Sequence, residues 1–239
     1  MLTQKNGMRK IKLIQIKFRM RKNLAKTKSN FSIQSFEGGY DKNFSYLLTC
    51  LDTISCIIID ASLESRKIEP FIKSRPTAML ITHSHHDHIK YINEYIEKYP
   101  EIKVIGHPKS KLNNTSEINY LPMSDSSIFK LGSLEIKIIH TPGHYYDSVC
   151  FLVKNVIFTG DTLFIGRTGR TLSKGSNISD LYNSVYKKIL NLSGDTIIYP
   201  GHNYGSKPTM TISENIKISD LLQASGEKDF IHKMKNYER

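Results

Sequence analysis

Seven side chains able to ligate a metal ion stand where four apolar runs end. Ala78-Met79-Leu80-Ile81 leads into His83, His85, Asp87 and His88. Ile136 to Ile139 leads into Thr141-Pro142-Gly143-His144, and Val156-Ile157-Phe158 into Thr159-Gly160-Asp161. Thr196 to Tyr199 leads into Pro200-Gly201-His202. In an extended segment alternate side chains face the same way, so His83 and His85 can grip one ion together. Asp87 and His88 open the next element and face elsewhere, which suits a second ion nearby. Glycine before His144, Asp161 and His202 lets the backbone turn sharply and approach closely. Imidazoles and carboxylates without thiolates fit zinc, iron or manganese.

Strands must carry these residues to a common edge. Short β-rich runs closed by turn residues predict strands at Phe31–Phe36, Asn43–Cys50, Ser55–Asp60, Ala78–Ile81 and Ile102–Ile105. A second group is expected at Ile128–Leu131, Leu134–Ile139, Val149–Val153, Val156–Phe158 and before His202. Helices are expected at Leu63–Lys73 behind a Ser62 cap, and from Asp87 to Pro100 with Ile89, Ile92, Tyr95, Ile96 and Tyr99 on one face. Two more are expected at Asp180–Leu192, capped by Ser179 with Leu181, Val185, Ile189 and Leu192 inward, and at Ile212–Ala224. Lys109–Ser127 and Gly166–Gly175 read as loops. Two strand blocks, each followed by helices, predict a sheet sandwich with helices outside.

The 239 residues suffice for one substantial core, and 39% apolar with 23% charged residues is ordinary for a globular protein. No apolar run is long enough to span a membrane. Three cysteines, Cys50, Cys56 and Cys150, suit a reducing cytoplasm better than a disulfide framework. The net charge of +12 is concentrated in residues 1–30, which hold ten basic side chains and no acidic one. The remainder has 24 basic against 22 acidic residues. Residues 1–30 are therefore read as a basic, disordered N-terminal arm, and 31–239 as one catalytic domain. With the charge confined to an arm, nucleic acid is not the expected partner.

The ordered string His83-x-His85-x-Asp87-His88, Thr141-Pro142-Gly143-His144, Gly160-Asp161 and Gly201-His202 resembles the metallo-β-lactamase superfamily, over residues 31–215. The resemblance implies an α/β fold, a four-layer αββα sandwich with the metal site at one sheet edge. It implies that His83, His85 and His144 hold a first metal and Asp87, His88 and His202 a second, bridged by Asp161. Asp87 and Asp161 are then the catalytic carboxylates. Phe158 to Phe164, Gly169-Arg170 and Tyr199 to His202 look like the glyoxalase II branch, which hydrolyses glutathione thioesters. That implies two Zn(II) ions, or a Zn/Fe mixture, and a metal-bound hydroxide attacking a small thioester. Arg170 is placed to pair with a substrate carboxylate, and Tyr204 to hydrogen-bond the acyl group.

The alternative is a persulfide dioxygenase using one Fe(II) on His83, His144 and Asp161, with glutathione persulfide as substrate. Gly169-Arg170-Thr171 resembles that branch, whereas Gly201 stands where it usually has alanine. Glyoxalase II has a helical C-terminal domain and a small residue after Pro-Gly-His. This chain has 37 residues after His202, and Tyr145-Tyr146-Asp147 after His144. His86, His107, His140 and His232 fall outside the ligand pattern.

Overall fold

The computed structural model describes residues 30–112 and 119–238. The basic arm therefore lies outside the described residues, apart from Asn30. Among the described residues no helix is long and apolar enough to cross a membrane.

Two six-stranded sheets form among the described residues. The first runs β1 (Phe31–Gly38), β2 (Asn43–Cys50), β3 (Cys56–Ile59), β4 (Ala78–Leu80), β5 (Lys103–Gly106) and β6 (Tyr120–Pro122) in spatial order. The second contains β7 (Ile128–Leu131), β8 (Leu134–His140), β9 (Val149–Val153), β10 (Val156–Gly160), β11 (Ile197–Pro200) and β12 (Met210–Thr211), again in sequential neighbourhood. β3, β4, β5 and β6 pair in parallel, as do β10 and β11; the other pairs are antiparallel.

The two-residue period of a strand sorts its side chains between layers. Ile57, Ile59, Ala78 and Leu80 meet Ile136, Ile138, Phe151 and Phe158 in the core between the sheets. The alternate residues Cys56, Ile58, Met79 and Ile81 pack outward against Ile68, Ile92 and Tyr95. Those come from α1 (Ser65–Ile68) and α3 (Ile92–Lys98), with α2 (His86–Ile89) between. On the far face Ile157 and Ile198 pack with Leu181, Val185, Ile189, Phe230 and Met234. These belong to α4 (Ile178–Tyr182), its π-helical continuation Asn183–Ile189, and α6 (Glu227–Tyr237). Three apolar layers separate four structural ones, and the αββα sandwich follows.

Several local expectations fail for physical reasons. Helix Leu63–Lys73 shrinks to α1 and a 3-10 turn, Glu69–Phe71, because Pro70 has no N–H to continue the ladder. Ser62 is no cap: it is buried, and Glu64 occupies the N-cap position. The helix from Asp87 is cut between α2 and α3. There the Ala61 N–H donates to His88 O at 2.8 Å, while Ala61 O takes the Tyr91 N–H at 3.0 Å. Asn177 rather than Ser179 caps α4, accepting from the Asp180 N–H at 3.0 Å. The terminal helix splits at Ser219 into α5 (Ile212–Ile218) and a 3-10 turn. Elements not anticipated include β6, inside the stretch read as loop, the two-residue β12, and α6, whose Phe230 and Met234 are fully buried.

Candidate metal centre

β4, β8, β10 and β11 end at one edge of the sandwich, and backbone hydrogen bonds tie the loops that follow. In the parallel pair β10–β11, Gly160 lies opposite Pro200, so Asp161 and His202 emerge side by side. Gly201 N donates to Gly160 O, Phe44 N to Gly201 O, and Val149 N to Thr82 O, each at 2.8 Å. The last two cross between the sheets. A Cβ on Gly201 would lie 2.3 Å from Asp161 Oδ1, so glycine is required for this close approach.

All seven expected side chains converge in overlapping triads: His83, His85 and His144; His83, His88 and Asp161; Asp87, His88 and His202. Within each triad the ligand atoms lie within 4.8 Å of one another. His85 Nδ1 stands 3.0 Å from both His83 Nε2 and His144 Nε2. Asp161 spans the groups, with Oδ1 3.2 Å from His88 Nε2 and Oδ2 3.3 Å from His202 Nε2 and 3.6 Å from His144 Nε2. Asp87 Oδ2 lies 3.4 Å from His202 Nε2.

The outward-facing ring nitrogens assign the tautomers. His144 Nδ1 donates to Arg170 O at 2.8 Å, and His202 Nδ1 to Asp41 O at 2.9 Å. His88 Nδ1 donates to Asp60 Oδ2 at 2.8 Å. Thr82 Oγ1 donates to the same carboxylate at 2.8 Å and so accepts from His83 Nδ1 at 3.2 Å. In these four rings Nε2 is thereby turned inward, toward His85 and the oxygens of Asp87 and Asp161, where its lone pair is open to a cation once any proton there has left. Buried His88 Nε2 and Asp161 Oδ1 face each other with no hydrogen-bond partner. Acceptors crowded against acceptors call for a cation, and this donor set fits one or two divalent ions of the zinc or iron type.

Protons compete for the same lone pairs, unequally between the two groups. Burial and then its histidine neighbours hold His83 well below its ordinary pKa, and push His85 down to about 4. Burial also opposes charge on His202, but Asp161 and Asp87 outweigh it and push its pKa up to about 9. Desolvation likewise works against ionised Asp161, yet the His88 and His202 charges hold it well below the carboxylate range.

A model of the metallo-beta-lactamase superfamily matches residues 38–202. The chain belongs to that superfamily. It is 34% identical over 198 residues to a probable hydroxyacylglutathione hydrolase of Schizosaccharomyces pombe, covering 77% of this chain and 74% of that protein. It is 26% identical over 193 residues to a probable polyketide biosynthesis zinc-dependent hydrolase of Bacillus velezensis, covering 80% and 86%. Among solved structures it resembles ETHE1 from Myxococcus xanthus, with a TM-score of 0.77 and 27% identity over 87% of this chain and 92% of that one.

Beside this metallo-β-lactamase site a cavity of about 390 Å³ is lined by His85, Asp87, His144, Asp161 and His202. Arg170 and Tyr204 also line it. Arg170 is exposed at the rim. Tyr204 stacks on His202, with ring centroids 5.0 Å apart and planes within 4°, and its hydroxyl donates to Asp41 Oδ2 at 2.5 Å. Tyr145 places its ring 4.2 Å from that of His85. His140 touches no ligand: it stacks on His107 at 4.0 Å and bonds Tyr146 O.

The sequence reading missed three supports. Asp60 accepts from the Thr82 N–H, the Thr82 hydroxyl and His88. Its signal was present, since it closes the run Ile57–Ile59 as Asp161 closes Val156–Phe158. Buried Asp147 accepts from the Ser84 N–H at 3.1 Å, between His83 and His85. Asn43 donates to Asp87 Oδ2 at 3.1 Å.

Asp60→Asn leaves one oxygen for three donors, so zinc affinity is expected to fall about 10- to 100-fold by chelator competition. An unchanged affinity would remove Asp60 from the centre. Because the His202 pKa is raised, its proton must leave as metal enters. Zinc uptake should therefore release protons and weaken as the pH falls below about 9, seen as buffer-dependent heats in calorimetry.

Proposed function

We propose that residues 31–239 form a metal-dependent thioester hydrolase of the glyoxalase II type, acting on S-acylglutathione substrates. Asp161 carries the reading, because it reaches both groups: Oδ2 lies 3.6 Å from His144 Nε2 of the first, while Oδ1 and Oδ2 lie 3.2 and 3.3 Å from His88 and His202 of the second. The likeness to hydroxyacylglutathione hydrolases supplies the substrate class. Two divalent ions, zinc or a zinc–iron mixture, would be held by His83, His85 and His144 and by Asp87, His88 and His202, with Asp161 between. Such ions lower the pKa of water toward neutrality and polarise a carbonyl.

The chain's own residues do the rest. The cavity opens onto His85 and His144 of one triad and Asp87 and His202 of the other, so a thioester entering it meets both groups. Arg170 offers a planar fork to a substrate carboxylate at the rim. Tyr204 forms a wall of the same cavity; its hydroxyl, held by Asp41, keeps the ring stacked on His202. A departing thiolate needs no strong acid, since a free thiol has a pKa of about 8.5.

The likeness to ETHE1 is compatible with the second reading, one iron on His83, His144 and Asp161. Gly201 weighs against it. Alanine, usual at that position in the dioxygenase branch, would drive its Cβ onto Asp161 Oδ1 in this chain.

Purified protein is expected to carry about two metal ions per chain by elemental analysis and to hydrolyse S-lactoylglutathione. A single iron, with oxygen uptake on glutathione persulfide, would replace this reading by the second. Asp161→Ala is expected to lower kcat at least about a hundredfold, as fits the loss of a few kcal/mol of charge stabilisation. Near-normal turnover in that variant would dismiss the bridging role.

A further inference from the structure

The loop after Asp161 is held by an element that no ligand motif touches. Arg170 O takes the His144 Nδ1 proton, so the position of this loop sets the direction of a ligand. The same loop presents the Arg170 side chain to the cavity. Its packing is close: a Cβ on Gly169 would lie 1.9 Å from Asp161 O and 3.0 Å from His144 Nδ1.

Three contacts join the loop to α6. Glu238, at the end of α6, accepts from the Thr171 N–H, and its two oxygens lie 3.1 and 3.2 Å from Thr171 Oγ1. The Arg167 guanidinium lies 4.8 Å from the ring centroids of both Tyr237 and Tyr204. Thr168 Oγ1 donates to Met234 Sδ at 3.3 Å. Tyr204 in turn stacks on His202, so the chain of contacts from α6 reaches ligands on both sides of the centre.

Glu238 does not serve its helix. A carboxylate at a helix C-terminus faces the negative end of the dipole, where a cation is favoured. Nor is α6 held in place by Glu238 alone, because Phe230 and Met234 are fully buried and Lys233 pairs with Asp220 at 2.8 Å. Removing the carboxylate therefore tests the pin without unfolding the helix.

We propose that the last turn of α6 is a working part of the site: Glu238 and Tyr237 are positioning residues that fix the Arg167–Thr171 loop, and through it His144 and Arg170. The kinetic arm of the test rests on the thioester hydrolase reading; the other arms do not.

The full-length zinc-loaded protein is compared with E238A and E238Q. In E238A amide hydrogen exchange across residues 164–175 is expected to speed up. Zinc affinity should drop about tenfold by chelator competition. The KM for S-lactoylglutathione should rise about tenfold with kcat within about twofold, the loss of one charged hydrogen bond felt in binding. E238Q keeps an acceptor oxygen and should stay near wild type in all three readouts.

Unchanged exchange in E238A overturns the pin. Faster exchange with KM and zinc affinity both unchanged overturns its role at the site. So does a fall in Tm together with a parallel loss of kcat and metal, which is a structural defect only. E238Q as impaired as E238A removes the hydrogen bond as the cause and overturns the proposal too. Wild-type protein inert toward S-acylglutathiones sinks the hydrolase reading instead, and exchange with zinc affinity then decides this inference alone.

Discussion

Inward-facing lone pairs at the common edge of two sheets are the constraint on which this structure turns. Imidazoles and carboxylates do not gather unaided, since burying a charge costs several kcal/mol unless it is paired and hydrogen-bonded. One side chain carries much of the arrangement. Asp60 collects three donors, and by doing so fixes Thr82, His83 and His88 together. Asp60 thus sits one hydrogen bond behind His88 and two behind His83, and orients both buried rings toward a cation.

Precision comes from placing ligands at strand ends rather than on free loops. The parallel register of β10 and β11 sets Asp161 beside His202, and glycine at 201 permits contact that any side chain would block. Gly160, at φ 48°, makes the turn itself, with Thr82 packed where a Cβ would project. From outside the sheets come Asp147 behind Ser84, Asp41 behind His202 and Arg170 O behind His144. Each of these is a backbone or side-chain partner in a segment distant in sequence from the ligand it orients.

That distance explains what could and could not be read from the chain. The strands were legible because β-rich runs such as Ile57–Ile59 and Val156–Phe158 end in turn or polar residues, and the layers follow from their two-residue period. The side chains that converge at the edge were legible because they follow the ends of such runs. The helix from Asp87 was misread because its interruption is made by Ala61, a residue from another element whose backbone captures two helical groups. No local pattern carries that information. Helix α6 was missed for a different reason: Phe230 and Met234 stand four apart with few other apolar neighbours, and its amphipathic stripe is short. Tyr204 shows the limit from the other side. Its position after His202 suggested a substrate contact, while its hydroxyl is engaged by Asp41, a residue far back in the chain.

The ligands also come from both halves of the sandwich. His83, His85, Asp87 and His88 follow a strand of the first sheet, whereas His144, Asp161 and His202 follow strands of the second. Protein contacts also cross this edge, among them Val149 N to Thr82 O and Phe44 N to Gly201 O. A cation bound among the triads joins the sheets at that same edge, where the core between them gives way to polar residues. Because the folded chain alone brings these atoms together, binding adds to stability by mass action, by about 4 kcal/mol at a thousand times the Kd. The chemistry and the cohesion of the two sheets therefore rest on the same atoms. Asp60 and Asp147 each lie one contact from the ligand cluster, so both serve the two ends at once.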